Sequence, residues 1–309
     1  MTMRATFRFG FVALGAFASS FLPGCIIVAN GSSDSPRYTE TRTVRVPIAP
    51  GSGVDVKTRN GSVEIASSGA STSEAVVTAT LSARSQQRLD ETRVVAEAVG
   101  NKIDVRVEWP SNRAQSGEGC SFRIDTPNPT NIDVKTSNGR ISLRDSAGHA
   151  ELDTSNGSIR VMNHGGDVNA TTSNGRIELR DIAGAADANT SNGNIDLVNV
   201  SGRAFASTSN ASALVHLADN SPGPVQIRSS NGSIDLAIGR NFTGDLRLAT
   251  SNGRIRFDSP VQVQDMESNR SATLRFGTGG AASSAVTSNG SITITSHASA
   301  DTVVPVGSR

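Results

Sequence analysis

Apolar residues stand at alternate positions along most of this chain, and they keep a constant phase relative to a recurring asparagine. Three and five residues after it come Ile141 and Leu143, Ile159 and Val161, Ile177 and Leu179, Ile195 and Leu197, Ile234 and Leu236, Ile255 and Phe257, and Ile292 and Ile294. Six and four residues before it come Ile132 and Val134, Ala150 and Leu152, Val168 and Ala170, Ala186 and Ala188, Val225 and Ile227, and Leu246 and Leu248. Asp133, Lys135, Glu151, Asp153, Glu178, Asp187, Asp196, Asp235, Arg247 and Arg256 occupy the other parity. A period of two with one polar parity predicts β-strands that bury one face and solvate the other.

The asparagines belong to a repeat. Thr-Ser-Asn-Gly recurs at Asn138-Gly139, Asn156-Gly157, Asn174-Gly175 and Asn192-Gly193, with Thr-Ser-Asn-Ala at Asn210, all 18 residues apart. Asn231-Gly232 and Asn252-Gly253 follow at steps of 21, a broken copy stands at Asn269, and Asn289-Gly290 closes the series. Thr58-Arg59-Asn60-Gly61 is a forerunner 78 residues before Asn138. Asn-Gly reads as a corner between two strands, because Gly accepts positive φ and Asn tolerates the left-handed region. A second corner of Asx type is expected at residues 145–148, 163–166, 181–184 and 199–202, where Asp or Asn leads and Gly closes.

Repetition of one phase at one period sets like upon like, which serves a solenoid and has no purpose in a meander. One coil alone buries too little apolar surface to offset its ordering entropy, so neighbours above and below must hold it. The expected fold is all-β: a single-stranded β-helix (β-solenoid) with coils of 18 to 21 residues. Stacked Asn side chains should form amide ladders. About eight coils at ~4.8 Å spacing would make a column roughly 38 Å long. Residues 41–125 are less regular: Val54, Val56, Val63 and Ile65 flank Asn60-Gly61 as in a normal coil, a short helix is expected within 85–99, and the stretch is read as an N-terminal cap or an interrupted first part of the same solenoid, shielding an open edge. Residues 126–297 are the repeats and 298–309 a frayed tail.

Composition sharpens this picture. Only seven aromatic side chains fall after residue 24, so the core must come from Ile, Val, Leu, Ala and buried Thr. Charged residues make up 18% of the chain, too few for disorder when β-branched residues recur so regularly. A formal charge of +1 gives no electrostatic reason to bind nucleic acid.

The N-terminus reads as an export signal spanning residues 1–24. Arg4 and Arg8 precede an apolar run at 9–22 that is too short for the ~20 residues a membrane span needs. Leu22-Pro23-Gly24-Cys25 resembles the lipobox of bacterial lipoproteins, in which the Cys becomes the acylated first residue; Pro23 departs from the usual small or aliphatic residue. On this reading Cys25 is the lipidation site that ties the protein to the membrane, and residues 25–40 are a flexible linker. Ile26 is not the Asp that retains lipoproteins at the inner membrane, which implies outer-membrane placement. Ordinary secretory cleavage near Ala18-Ser19-Ser20, or a disulfide between Cys25 and Cys120, are the competing accounts.

Chemistry is sparse. His149, His164, His216 and His297 lack metal-ligand spacing and read as solvated loop residues. Asp145 and Asp181 alternate with Asn163 and Asn199, too thinly for a calcium-binding β-roll. The carboxylates lie on outward positions of different coils with arginines interleaved, a mixed-sign solvated face rather than a catalytic pair. No glycine-rich phosphate cradle with its Lys is present. Neither a metal nor a cofactor is expected, and no catalytic residue is assigned.

The repeated Thr-Ser-Asn-Gly-x-Ile-x-Leu, followed by Asp/Asn-x-x-Gly, resembles a bacterial β-strand-repeat family of unknown function whose members carry an adhesin label. The lead-in at residues 126–134 fits as well. The resemblance covers about residues 41–297 and implies an exported or membrane-attached β-helix; the family offers no catalytic residues to carry over. The leading expectation is a noncatalytic, lipid-anchored envelope protein that holds a protein or polysaccharide partner. A polysaccharide-active β-helix enzyme and a periplasmic signalling or assembly module are the alternatives.

Overall fold

The structure is a computed structural model that describes residues 21–22, 26–29, 37–69, 71–258, 263–277 and 279–296. Of the expected leader only Phe21–Leu22 is described, paired with Val44 and Thr43, while the rest of it, Cys25 and the 298–309 tail lie outside the described residues; within the expected 25–40 linker, Ile26–Ala29 pairs antiparallel with residues 37–40. Each coil contributes two strands, one before and one after its Asn, and each strand pairs in parallel with its counterparts in adjacent coils. Each residue meets its counterpart 18 positions on: Ile141 pairs with Ile159, Ile159 with Ile177, and Ile177 with Ile195. On the other sheet Val134 pairs with Leu152, Leu152 with Ala170, and Ala170 with Ala188. These residues are fully buried and belong to one hydrophobic core running the length of the stack. Ala-rich rows on one sheet and Ile/Leu rows on the other share it, so small and large side chains together fill a core with few rings.

The coils do not stack in sequence order. The first coil, Gly53–Lys57 and Val63–Ser67, lies inside the column, between the coil at 130–144 and an outer coil made by Lys102–Glu108 and Gly119–Thr126. The opposite end mirrors this. The last coil, Ser283–Thr287 and Ile292–Ser296, is wedged between the coil at 225–238 and the coil at 244–257. Among the described residues the stack therefore has ten coils, where about eight were expected. The outermost N-terminal coil is invisible to a motif search because a loop at 110–118 replaces its Asn-Gly corner.

Antiparallel strands close the ends. Glu74–Ala83 covers Gly119–Thr126 and is covered in turn by Arg37–Pro47, while Arg93–Val99 covers Lys102–Glu108. At the far end Ser271–Phe276 covers Gly244–Thr250. Pairing these edges removes a template for aggregation. The expected helix shrinks to Gln86–Glu91, N-capped by the Ser85 hydroxyl, because Val94 and Ala96 alternate into the core and draw 93–99 into a hairpin with 102–108. The broken copy at Asn269 is not a coil corner either: Asn269-Arg270 turns the hairpin between 263–268 and 271–276. No helix among the described residues is long and apolar enough to cross a membrane.

Candidate binding surface

The Asn-Gly corners of all the motif-bearing coils line up on one ridge. Asn138 Nδ2 donates to Asn60 Oδ1 at 2.6 Å, Asn156 to Asn138 at 2.7 Å, Asn174 to Asn156 at 2.7 Å, Asn192 to Asn174 at 2.8 Å, and Asn210 to Asn192 at 2.7 Å. Asn231 donates to Asn210 at 2.9 Å, Asn289 to Asn231 at 2.7 Å and Asn252 to Asn289 at 2.7 Å. Nine amides thus form one ladder in which every donor points toward the N-terminal end, where Asn60 Nδ2 meets the Glu118 carbonyl oxygen at 3.0 Å.

The threonine and glycine of the motif complete each corner. Thr154 Oγ1 donates to the Gly139 carbonyl one coil away and accepts from Gly157 N, and Thr172 and Thr190 repeat this with Gly157 and Gly175. Glycine is required here for a different reason than expected. None of Gly139, Gly157, Gly175, Gly193, Gly232, Gly253 or Gly290 has positive φ. A Cβ on Gly157 would instead overlap the Gly139 carbonyl, one on Gly175 the Gly157 carbonyl, and so on up the ridge. Close backbone approach between coils excludes any side chain.

Positive φ occurs at the second corner, where Asp145, Asn163, Asp181 and Asn199 lie at 53°, 55°, 56° and 60°. Asn163 donates to Asp145 at 2.7 Å and Asn199 to Asp181 at 2.6 Å. His164 corrects its sequence reading: it is buried, with Nδ1 accepting from the Ser146 hydroxyl at 2.8 Å and Nε2 donating to the Gly148 carbonyl at 3.1 Å. Burial pushes its pKa below the ordinary histidine value.

The outward rows carry charge in register rather than scattered. Asp104, Asp55, Asp133 and Glu151 occupy the same position in successive coils. Lysines answer them: Lys102 reaches Asp55 at 3.1 Å, Lys57 reaches Asp55 at 3.3 Å and Lys135 reaches Asp133 at 3.3 Å. Burial pushes the Asp55 carboxyl up, but hydrogen bonds from Lys102 and Lys57 outweigh it and hold the group below the usual range. Asp153, beside this row, is pushed up by burial and by Glu151. On the other sheet Glu178 takes both Arg160, at 2.7 Å, and Arg180, at 2.6 Å.

Two depressions flank the N-terminal end of the Asn ridge. The larger, about 1260 Å³, lies between the corners at 59–62 and 138–140 and the overhanging loop at 110–118. The smaller, about 640 Å³, continues from it along the adjoining sheet and shares Ser62 and Arg140. Glu118, the one carboxylate lining the larger depression, has its side chain fully buried and accepts from Arg88 at 2.5 and 2.8 Å and from Gln115 N at 2.7 Å. Burial pushes Glu118 up, and the Arg88 and Gln115 hydrogen bonds reverse this to hold it below the ordinary carboxylate value. Cys120 lies buried beneath the same corner, its thiol pushed up by desolvation.

With this geometry in view, comparison with known proteins is decisive on one point. The family described as Toastrack DUF4097 matches residues 36–295. The chain belongs to the Toastrack family. A crystal structure of a "putative cell adhesion protein" from Clostridium sporogenes aligns over 83% of this chain and 99% of that one, at 11% identity and a TM-score of 0.24. At that score it adds nothing to the family match. No curated protein matches the sequence. Among the described residues of this Toastrack chain, no three His, Cys, Asp or Glu side chains are grouped to hold a metal. The sequence motif located the ridge of the Toastrack column but missed the groove beside it, because the loop at 110–118 carries no repeat signal.

Proposed function

We propose that this protein is a noncatalytic, lipid-anchored β-solenoid of the cell envelope that acts as a surface or partner-binding scaffold. The observation that carries the reading is the unbroken amide ladder through nine of the ten coils, which makes a rigid body with long polar faces. A noncatalytic role is favoured over a polysaccharide-active enzyme because three of the four carboxylates standing in register are occupied, Asp55 by Lys57 and Lys102, Asp133 by Lys135 and Asp104 by Arg106. None of the three glutamates lining the groove is free for acid–base work: Glu118 is held by Arg88, Glu178 by two arginines and Glu64 by Arg123. Anchoring is proposed through Cys25, with the column facing the periplasm or the cell surface from the outer membrane and a protein or polysaccharide as its partner. Mass spectrometry of the mature N-terminus tests the anchor: an acylated Cys25 is expected, and an unmodified N-terminus beyond it defeats the proposal. Pull-down from native envelope tests the scaffold, and a deletion strain with unchanged envelope integrity and surface attachment would count against it.

A further inference from the structure

The groove at the N-terminal end of the ridge is unusually cationic for a chain with a formal charge of +1. Its two connected depressions are lined by seven arginines against three glutamates. Two of those glutamates, Glu118 and Glu178, are already engaged by arginines on the same walls. Arg59, Arg113, Arg140 and Arg144 are exposed and, among the described residues, have no carboxylate within ion-pair distance. They converge only in the folded stack, since Arg59 and Arg140 come from coils 78 residues apart in sequence at Asn60 and Asn138.

We infer that this groove binds an acidic polysaccharide, a chain whose carboxylate or phosphate groups meet these four guanidinium groups. This specifies the partner of the scaffold proposed above and rests on that reading. Arginine is suited to the task because its planar fork pairs bidentately with either anion. Much of the remaining lining is hydroxyl and amide, including Ser62, Ser116, Ser121 and Gln115, which suits a hydroxylated chain. Pro110, Ala114, Val63 and Ile159 are the aliphatic exceptions. Among the described residues no aromatic side chain lines either depression, so they offer neither base stacking nor stacking on a neutral sugar. The groove is elongated: Arg140 and Arg176 hold the same position two coils apart, about 10 Å along the column.

The test uses the full chain purified in detergent and four probes: polygalacturonate, its methyl-esterified form, inorganic phosphate and duplex DNA. Polygalacturonate should bind with an affinity that falls as salt rises, and the esterified form about tenfold more weakly or worse. Arg59→Gln with Arg140→Gln, at exposed positions, should leave the melting temperature unchanged and cost about tenfold or more in affinity. Arg254→Gln with Arg256→Gln, beside a separate depression of about 340 Å³ at the other end, should leave binding within about twofold. Competition by millimolar inorganic phosphate should be weak if a chain is required and complete if a single anion suffices; complete competition overturns the polymer. Equal binding of the esterified form, tighter binding of DNA, or indifference to Arg59→Gln/Arg140→Gln also overturns the inference. If polygalacturonate fails while the envelope pull-down still captures a protein, the acidic-polysaccharide inference falls and the scaffold reading stands.

Discussion

Asn289 donates its Nδ2 to Oδ1 of Asn231 at 2.7 Å across 58 residues of sequence, and its own Oδ1 accepts from Asn252. The last copy of the repeat therefore sits inside the column and the preceding copy outside it. The N-terminal end has the same inversion, with the coil of Asn60 inside the coil at 102–126. Both termini of the repeat region are thereby held between neighbours instead of fraying at an edge.

Removal of residues 279–309 should unseat the coil at 244–257, which stacks on the column only through 283–296. Hydrogen exchange should show amide protection lost at 246–250 and 255–257 while 159–200 stays protected. Retained protection at 246–250 would mean that the outer coil can dock directly on 225–238.

Gly157→Ala places a methyl against the Gly139 carbonyl at an ordinary φ, whereas Gly165→Ala meets nothing nearer than Ala147 Cβ at 3.5 Å. The first should cost about 2–4 kcal/mol and the second less than ~0.5 kcal/mol in urea unfolding. Similar losses would show that close coil approach is not what selects glycine in the motif.

Asn174→Asp keeps the acceptor for Asn192 but removes the donor to Asn156, and sets a carboxylate against the Asn156 carbonyl oxygen. A loss of about 1 kcal/mol is expected at pH 7. Only the protonated acid can donate, so the folded-state pKa of the new Asp is raised. The variant should regain stability as pH falls toward ~4, because its proton is then supplied. A pH-independent loss would mean that the ladder bond contributes little.

His164 is buried and neutral between Ser146 and the Gly148 carbonyl, with Asp167 and His149 the charged or titratable groups nearby. Its folded pKa is lowered, so below the ordinary value of ~6.5 the unfolded chain binds the proton more readily. Stability should fall from pH 7 to pH 5, and His164→Gln should flatten that slope. An unaltered slope in the variant would mean that His164 is not the source of the acid sensitivity between pH 7 and pH 5.

Strand identity, the aliphatic core, the two corner types and the Asn ridge were all legible in the sequence. They are local or periodic properties: alternation marks a strand wherever it packs, and Asn at a constant phase must stack on its like once coils stack at all. The stated reason for glycine was not legible, because positive φ and close approach select the same residue. His164 was misread for a related cause, since a polar side chain at a turn buries only when the next coil supplies its partners, here Ser146 and Gly148.

Tertiary structure alone decided which copies touch. The motifs at Asn60 and Asn289 carry the same local signal as those between them, so nothing in their residues names a neighbour; open sheet edges and the hairpins that close them made that choice. The arginine groove follows from the same choice. Arg59, Arg113 and Arg140 meet because the first coil lies between the loop-bearing outer coil and the coil of Asn138, a docking arrangement set by edge pairing over distances that no local pattern spans.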